Sequence, residues 1–250
     1  MIWTTLGDMI ATAASAVGES ARTFSGAANE ALTQLVETVR TVLAGDPETR
    51  RQVAFSIAMI ALSAKMAKAD GVVTHDEVAA FERIFEIPDE ERRNVARLYD
   101  LAKQDVAGFE GYAMQLADLC DATAPNCPML QDILDGLFHI AKADGVLHEA
   151  ELDFLSHIAA IFEIDEAHFQ ATLARHVALG EGDPFTVLGL PPGTDLDSAK
   201  RRHRELVAEH HPDRAMARGM PEEFIAIANE RLAAFNAAYD QIAAIHAEQG

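Results

Sequence analysis

Strand-forming runs of Val, Ile, Thr and Tyr are scarce in this 250-residue chain, and aromatic residues reach only 6%. Alanine, leucine, glutamate and arginine stand in their place, residues that lose little on entering a helix. An all-α fold is therefore expected. Cysteine is nearly absent: Cys120 and Cys127 lie beside Pro125 and Pro128 and do not form a C-x-x-C pair. Free thiols in a reducing compartment are the favoured reading, with an oxidised link across the proline loop as the alternative. Positive charge is short too, with 20 Lys and Arg against 40 Asp and Glu, a net charge of -20. That opposes nucleic-acid binding, which depends on neutralising phosphates. No unbroken apolar run approaches the roughly 20 residues that cross a bilayer. No Lys or Arg precedes Met9–Val17, and Asp8 sits where a secretory signal carries its basic residues. A cytoplasmic protein is expected, with peripheral inner-membrane association as the alternative. Catalytic signatures are missing as well: there is no G-x-S-x-G, P-loop or G-x-G-x-x-G, and no H-E-x-x-H groups the 10 histidines. Enzyme chemistry has no residues to carry it, and zinc is not expected.

What is present is helical periodicity and an internal repeat. Residues 1–46 carry apolar positions at helical spacing, Ile2 to Val17 and Leu32 to Leu43, and read as a helical arm packed on the domain C-terminal to it. With only Arg22 and Arg40 basic before Gly45, they are poorly suited to an anionic lipid surface. Gly45-Asp46-Pro47 is a break. Then Ala67-Lys68-Ala69-Asp70-Gly71-Val72-Val73 recurs as Ala141-Lys142-Ala143-Asp144-Gly145-Val146-Leu147, and Phe85-Glu86-Ile87 recurs as Phe162-Glu163-Ile164. Each copy reads as an apolar helix, an Asp-Gly turn with glycine supplying a positive φ, and an amphipathic helix. Thr74 and Glu77 fit a capping box for the next helix. Two further helices are predicted near Asp89–Lys103 and Gly108–Cys120. Residues 47–179 should form a helical bundle with two pseudo-symmetric halves.

After the linker Gly180-Glu181-Gly182-Asp183, residues 183–250 form a third unit. Pro184–Leu188 reads as a short helix, Pro191-Pro192-Gly193 as a turn, and Asp195 or Asp197 as the cap of a helix running to His210. At 100° per residue, Leu196, Ala199, His203, Leu206, Val207 and His210 share one side of it, Lys200 and Arg204 lie beside them, and Arg201 is further round. His203 and His210 are read as packing residues. Proline ends the helix at His211-Pro212-Asp213. A loop through Arg218-Gly219-Met220 is expected next, with Pro221 opening a long amphipathic helix. The unit holds 7 Lys and Arg against 11 Asp and Glu, yet its basic residues cluster, so an acidic protein surface is the expected partner.

Three stretches in order carry a resemblance: Phe185-Thr186-Val187-Leu188-Gly189-Leu190, His211-Pro212-Asp213 and Asn236-Ala237-Ala238-Tyr239. Residues 184–247 resemble a J domain, the module of DnaJ-type co-chaperones, with Phe185 where the family usually has tyrosine. The resemblance implies an antiparallel helix pair with the tripeptide in its loop. It implies docking on a heat-shock-70 class (DnaK-type) chaperone, with Lys200, Arg201, Arg204 and Arg214 as charged contacts. His211, Pro212 and Asp213 would be the trigger that stimulates ATP hydrolysis. The repeat region resembles the TerB-like helical domain, through Asp70/Glu77 and Asp144/Glu151. TerB-like followed by a C-terminal J domain is the arrangement of DjlA-type co-chaperones. Those typically begin with a membrane-spanning segment, which this chain lacks, so a soluble relative is expected. The bundle would recruit a client or partner protein.

The same four acidic residues raise a metal reading. Gly71 to Glu77 and Gly145 to Glu151 match the second half of a calcium-binding EF-hand loop, but Met66, Lys68, Ile140 and Lys142 occupy the ligand positions of the first half. A divalent cation shared by Asp70, Glu77, Asp144 and Glu151 is implied by the TerB-like resemblance, and would make the chain a cation-binding stress or sensor protein. Helix capping with a solvated acidic patch is the favoured alternative.

Overall fold

The computed structural model describes residues 7–8, 27–69, 89, 92–102, 109–119, 125–143, 145–176, 183–218 and 220–249. Helix α1 spans Ala27–Val42, α2 Pro47–Ala69, α3 Arg92–Ala102, α4 Phe109–Leu119, α5 Pro128–Ala141, α6 Glu149–Ile161 and α7 Glu166–His176. The C-terminal helices are α8 Pro184–Val187, α9 Leu196–Glu209, α10 Pro212–Arg218 and, after a 3₁₀ turn at Glu222–Phe224, α11 Ile225–Gln249. Among the described residues there is no strand, as the shortage of strand-forming runs requires.

Helix α2 is the axis of the bundle. Asp46 caps it by accepting the Thr49 N–H at 3.0 Å, and Pro47 opens its first turn, where a missing N–H costs nothing. Every residue from Val53 to Ala67 is buried, Ser56, Ser63 and Lys65 among them, and the rest of the stretch is apolar on all sides, the pattern of a central helix. Helices α1, α3, α4, α5 and α6 pack around it. The buried serines of α2 turn their hydroxyls back onto the helix: Ser56 donates to the Gln52 carbonyl and Ser63 to that of Met59.

The second repeat lies at the α5–α6 junction. Gly145 adopts φ +90°, the left-handed backbone the Asp-Gly turn calls for. His148, the counterpart of Thr74, precedes α6, and its N–H donates to Glu151 Oε2 at 2.9 Å. This is the carboxylate bond of a capping box, the motif expected in the first copy at Thr74 and Glu77. Ile158 and Phe162 are buried and Ile161 packs beside them. The first copy, from Asp70 onward, lies outside the described residues.

The C-terminal unit folds on itself and on the bundle. Asp183 caps α8 through the Phe185 and Thr186 N–H groups, and Asp195 caps α9 through Ser198 N–H at 2.9 Å. Positive φ at Gly189 and Gly193 turns the chain between them. Phe185, Leu188, Ala199, Leu206, Phe235, Ala238 and Ile242 form a small core. His203 meets Asn236 and Tyr239 while His210 meets Arg231 and Phe235, so α9 and α11 run antiparallel. On the other side, Ala215, Met220, Phe224, Ile227 and Ala228 join the core of the bundle. Phe224 meets Phe55 of α2 edge-to-face at 4.6 Å.

Three expectations need correction. Residues 212–218 are helical rather than a loop. Proline is pre-organised for a first helical position, the Arg214 and Ala215 N–H groups close onto the His211 carbonyl, and Ala215 is buried against the bundle. The long helix begins at Ile225 rather than Pro221, because Pro221 precedes a single 3₁₀ turn. Helix α9 stops at Glu209, one residue short of the expected end, with His210 at its cap.

Candidate functional site

The basic residues of α9 separate from its packed side as the helical spacing requires. Ala199, Leu206 and His210 are buried, whereas Lys200, Arg201 and Arg204 are exposed, and Arg214 on α10 is exposed as well. Arg202 has a different role. It donates to the Leu188 carbonyl at 3.3 Å and pairs with Glu205 at 3.6 Å, tying α8 to α9.

His211, Pro212 and Asp213 stand at the start of α10. The side chains of His211 and Asp213 are 50% and 80% exposed. The Asp213 N–H donates to His211 Nδ1 at 3.2 Å, and the Asp213 carboxylate lies 3.6 Å from the same nitrogen. With Nδ1 acting as the acceptor, Nε2 carries the proton and is the donor presented to a partner.

The middle of the α9–α11 pair is held by the Asn-Ala-Ala-Tyr stretch. His203 Nε2 donates to Asn236 Oδ1 at 2.8 Å, and its ring stacks on Tyr239 with centroids 4.8 Å apart. His203 is thus a packing residue with a hydrogen bond.

Directly beneath the tripeptide lies a buried charge cluster that sequence reasoning missed. Arg231 of α11 donates through NH1 to Asp132 Oδ1 at 2.6 Å and through Nε to Asp135 Oδ2 at 2.9 Å. Arg218, the last residue of α10, donates through NH2 to Asp132 Oδ2 at 2.7 Å and through NH1 to the Glu209 carbonyl at 3.2 Å. Arg175 and His176 of α7 both donate to Asp135 Oδ1 at 3.0 Å. His210 accepts from Arg231 NH1 at 2.8 Å. Aspartates and arginines are seldom fully buried unless paired, and here each carboxylate meets at least two cations. Arg175 also lies over the Phe235 ring at 5.4 Å, a second link between bundle and C-terminal unit.

Electrostatics reflect the geometry. Burial works against the Asp135 charge, but Arg231, Arg175 and His176 outweigh it and hold the carboxyl well below its usual range. Burial likewise opposes the Arg231 charge, and Asp135 and Asp132 more than restore it. The two histidines go the other way. Burial, then Arg231 and Arg175, push His210 down to about 2, and burial lowers His176 despite Asp135. Both are neutral at physiological pH.

Of the four residues considered for a cation, Glu151 is buried and caps α6, while Asp70, Glu77 and Asp144 lie outside the described residues. Among the described residues, no three His, Cys, Asp or Glu cluster so as to hold a metal ion, and no helix is long and apolar enough to cross a membrane. Cys127 is a free thiol; Cys120 lies outside the described residues.

A family model described as Tellurite resistance protein TerB matches residues 56–174, the heart of the bundle. The chain is 29% identical over 218 residues to "Co-chaperone protein DjlA" of Photobacterium profundum, covering 77% of this chain and 78% of that protein. It is 28% identical over 232 residues to the protein of the same name from Aliivibrio fischeri, covering 79% and 81%. For that of Coxiella burnetii the identity is 26% over 197 residues, covering 71% and 72%. The first two shares exceed what residues 1–182 alone supply, so the similarity extends into the C-terminal unit. No solved structure matches the chain.

Proposed function

Because this chain is a DjlA-type protein, a DnaJ-type co-chaperone built on an all-α TerB-like bundle, we propose that residues 183–250 act as a J domain that stimulates ATP hydrolysis by a heat-shock-70 class (DnaK-type) chaperone. The TerB-like bundle recruits the client or partner delivered to it. The observation that carries this reading is the exposure of His211 and Asp213 at the end of a helix whose exposed residues include Lys200, Arg201 and Arg204.

The chemistry asked of the chain is recognition alone. The basic face attracts an acidic surface and fixes its register, the usual contribution of interface charges. His211 then offers Nε2–H as a donor, and the Asp213 carboxylate an acceptor, from a helix start whose first position is locked by Pro212. Hydrolysis takes place in the partner. This chain accelerates it only if docking is tighter on the partner's hydrolysis-competent conformation than on its resting one, since a ligand shifts an equilibrium by its differential affinity alone.

The test is single-turnover ATP hydrolysis by a DnaK-type chaperone with the full chain. We expect acceleration by wild type and its loss in His211→Gln. That variant should keep its helix content and thermal midpoint, because an exposed ring is exchanged for an exposed amide. Equal acceleration by both proteins would overturn the reading.

A further inference from the structure

The trigger is exposed and short, and α10 behind it has 7 residues. A helix of that length is not stable in isolation. Its order has to come from its flanks, and both flanks lead to one side chain. On the N-terminal side, His210 accepts from Arg231 NH1, which also donates to Asp132 Oδ1. On the C-terminal side, Arg218 donates to Asp132 Oδ2 through NH2 and Nε. Arg218 also reaches back to the Glu209 carbonyl, one of the carbonyls a helix leaves unpaired at its C-terminus. The two oxygens of a single carboxylate, 1% exposed and belonging to the bundle, therefore hold the residues on either side of His211-Pro212-Asp213.

We infer that Asp132 of the TerB-like bundle is a positioning residue for the His211-Pro212-Asp213 trigger, acting through Arg218. The bundle thus forms part of the chaperone-stimulating apparatus in addition to recruiting a target. Arg218 is distinct from the docking residues of α9: its guanidinium turns inward to Asp132 and is 22% exposed. Its loss should leave the basic face intact and free α10 to fray. Chaperone docking would then have to order the segment first, which weakens apparent affinity in proportion to the ordered fraction. The maximal stimulation, once docked, should change little.

The inference rests on the co-chaperone reading, and the experiment separates the two. Arg218→Gln, Arg218→Lys, Asp132→Asn and the Asp132→Asn/Arg218→Gln pair are made in the full chain, with His211→Gln as control. Amide exchange over residues 212–218 and the dependence of single-turnover hydrolysis on co-chaperone concentration are both measured. For Arg218→Gln we expect exchange in 212–218 to rise roughly tenfold and the half-maximal concentration to rise by a similar factor. Maximal stimulation should fall less than about twofold. Arg218→Lys, which keeps the charge without the fork, should recover part of the loss. The double variant should be no worse than the poorer single one, because both remove the same contact. Unchanged exchange and half-maximal concentration in Arg218→Gln would overturn the inference, as would strictly additive effects in the pair. If Asp132→Asn does not fold, Arg218→Gln and Arg218→Lys still decide. If wild type fails to stimulate at all, the co-chaperone reading falls while the exchange measurement still tests the contact.

Discussion

His210 and His211 are adjacent in the chain and chemically opposite. His211 is exposed and presents a donor; His210 is buried, tilted on Phe235 with centroids 5.6 Å apart, and accepts from Arg231. Their difference makes a pH dependence predictable. The folded state holds His210 at about 2 and lowers His176, whereas an unfolded chain protonates both near 6.5. Stability from burying neutral rings is fully present above that value. It is lost as pH falls below about 6.5, because the unfolded state then binds protons that the folded state refuses. For His210 the slope approaches about 1.4 kcal/mol per pH unit below that value, and His176 adds to the loss in the same direction. Asp135, held well below its usual range, adds its own loss only below about pH 4. Urea unfolding at pH 7.5, 6 and 5 should show the decline, and His210→Gln should reduce its slope by one proton's worth. A flat profile in wild type would contradict the assignment of neutral rings.

At the scale of elements, α5 meets α2 and α11 at a position with room for little beyond a Cβ. A Cβ placed at Gly136 of α5 would stand 2.8 Å from Met59 Cε and 3.7 Å from Ile227 Cδ1. The glycine lets α2, α5 and α11 converge there. An alanine would press only on the flexible end of Met59 and would also gain helix propensity, roughly 1 kcal/mol, so Gly136→Ala should be close to neutral. Gly136→Leu has no such escape and should cost about 1–3 kcal/mol through overpacking. It should also raise amide exchange in α10 and α11 more than in α4. Uniform exchange across the molecule would argue against a local junction. The same element scale explains why α10 departs from the expected loop: seven residues become helical because Ala215 and Arg218 find partners on the bundle.

For the whole molecule, the notable feature is a basic face on a chain of net charge -20. Lys200, Arg201 and Arg204 point outward while Arg218 and Arg231 are turned inward against Asp132 and Asp135. The inward pair therefore adds little to the attraction of an acidic partner. Reversing Arg201 and Arg204 to Glu should weaken docking on a DnaK-type chaperone by about tenfold or more in the dissociation constant, about 1.4 kcal/mol, and docking of wild type should weaken with added salt. Salt-independent docking would count against a charged interface. The shared core also bears on how the protein is dissected. Residues 1–180 alone would leave Asp132 and Asp135 without Arg218 and Arg231 and uncover the Phe55 side of α2. Partner searches are better made with the full chain carrying His211→Gln.

How much was legible depends on the distance over which each feature is encoded. The cap at Asp195, the positive φ of Gly145 and the outward basic stripe of α9 are set within a few residues, so periodicity and capping chemistry sufficed for the all-α fold and for which side chains of α9 face outward. The buried half is different. Arg218 and Asp132 are 86 residues apart, and Arg231 lies 96 and 99 residues from Asp135 and Asp132. The chain did carry a faint signal. Asp132 and Asp135 stand three residues apart among the apolar positions of α5, and Arg231 falls in the apolar stripe between Ile227 and Phe235. Charges in core positions ask for partners, but one-dimensional spacing does not name them. The sequence by itself determined the all-α class, the place of His211-Pro212-Asp213 at the end of α9 and the sign of the charge on that helix's outer face. Only the tertiary structure decided that the residues flanking His211-Pro212-Asp213 are tied to Asp132 of the bundle, because burying charge is favourable only where several long-range partners converge on it.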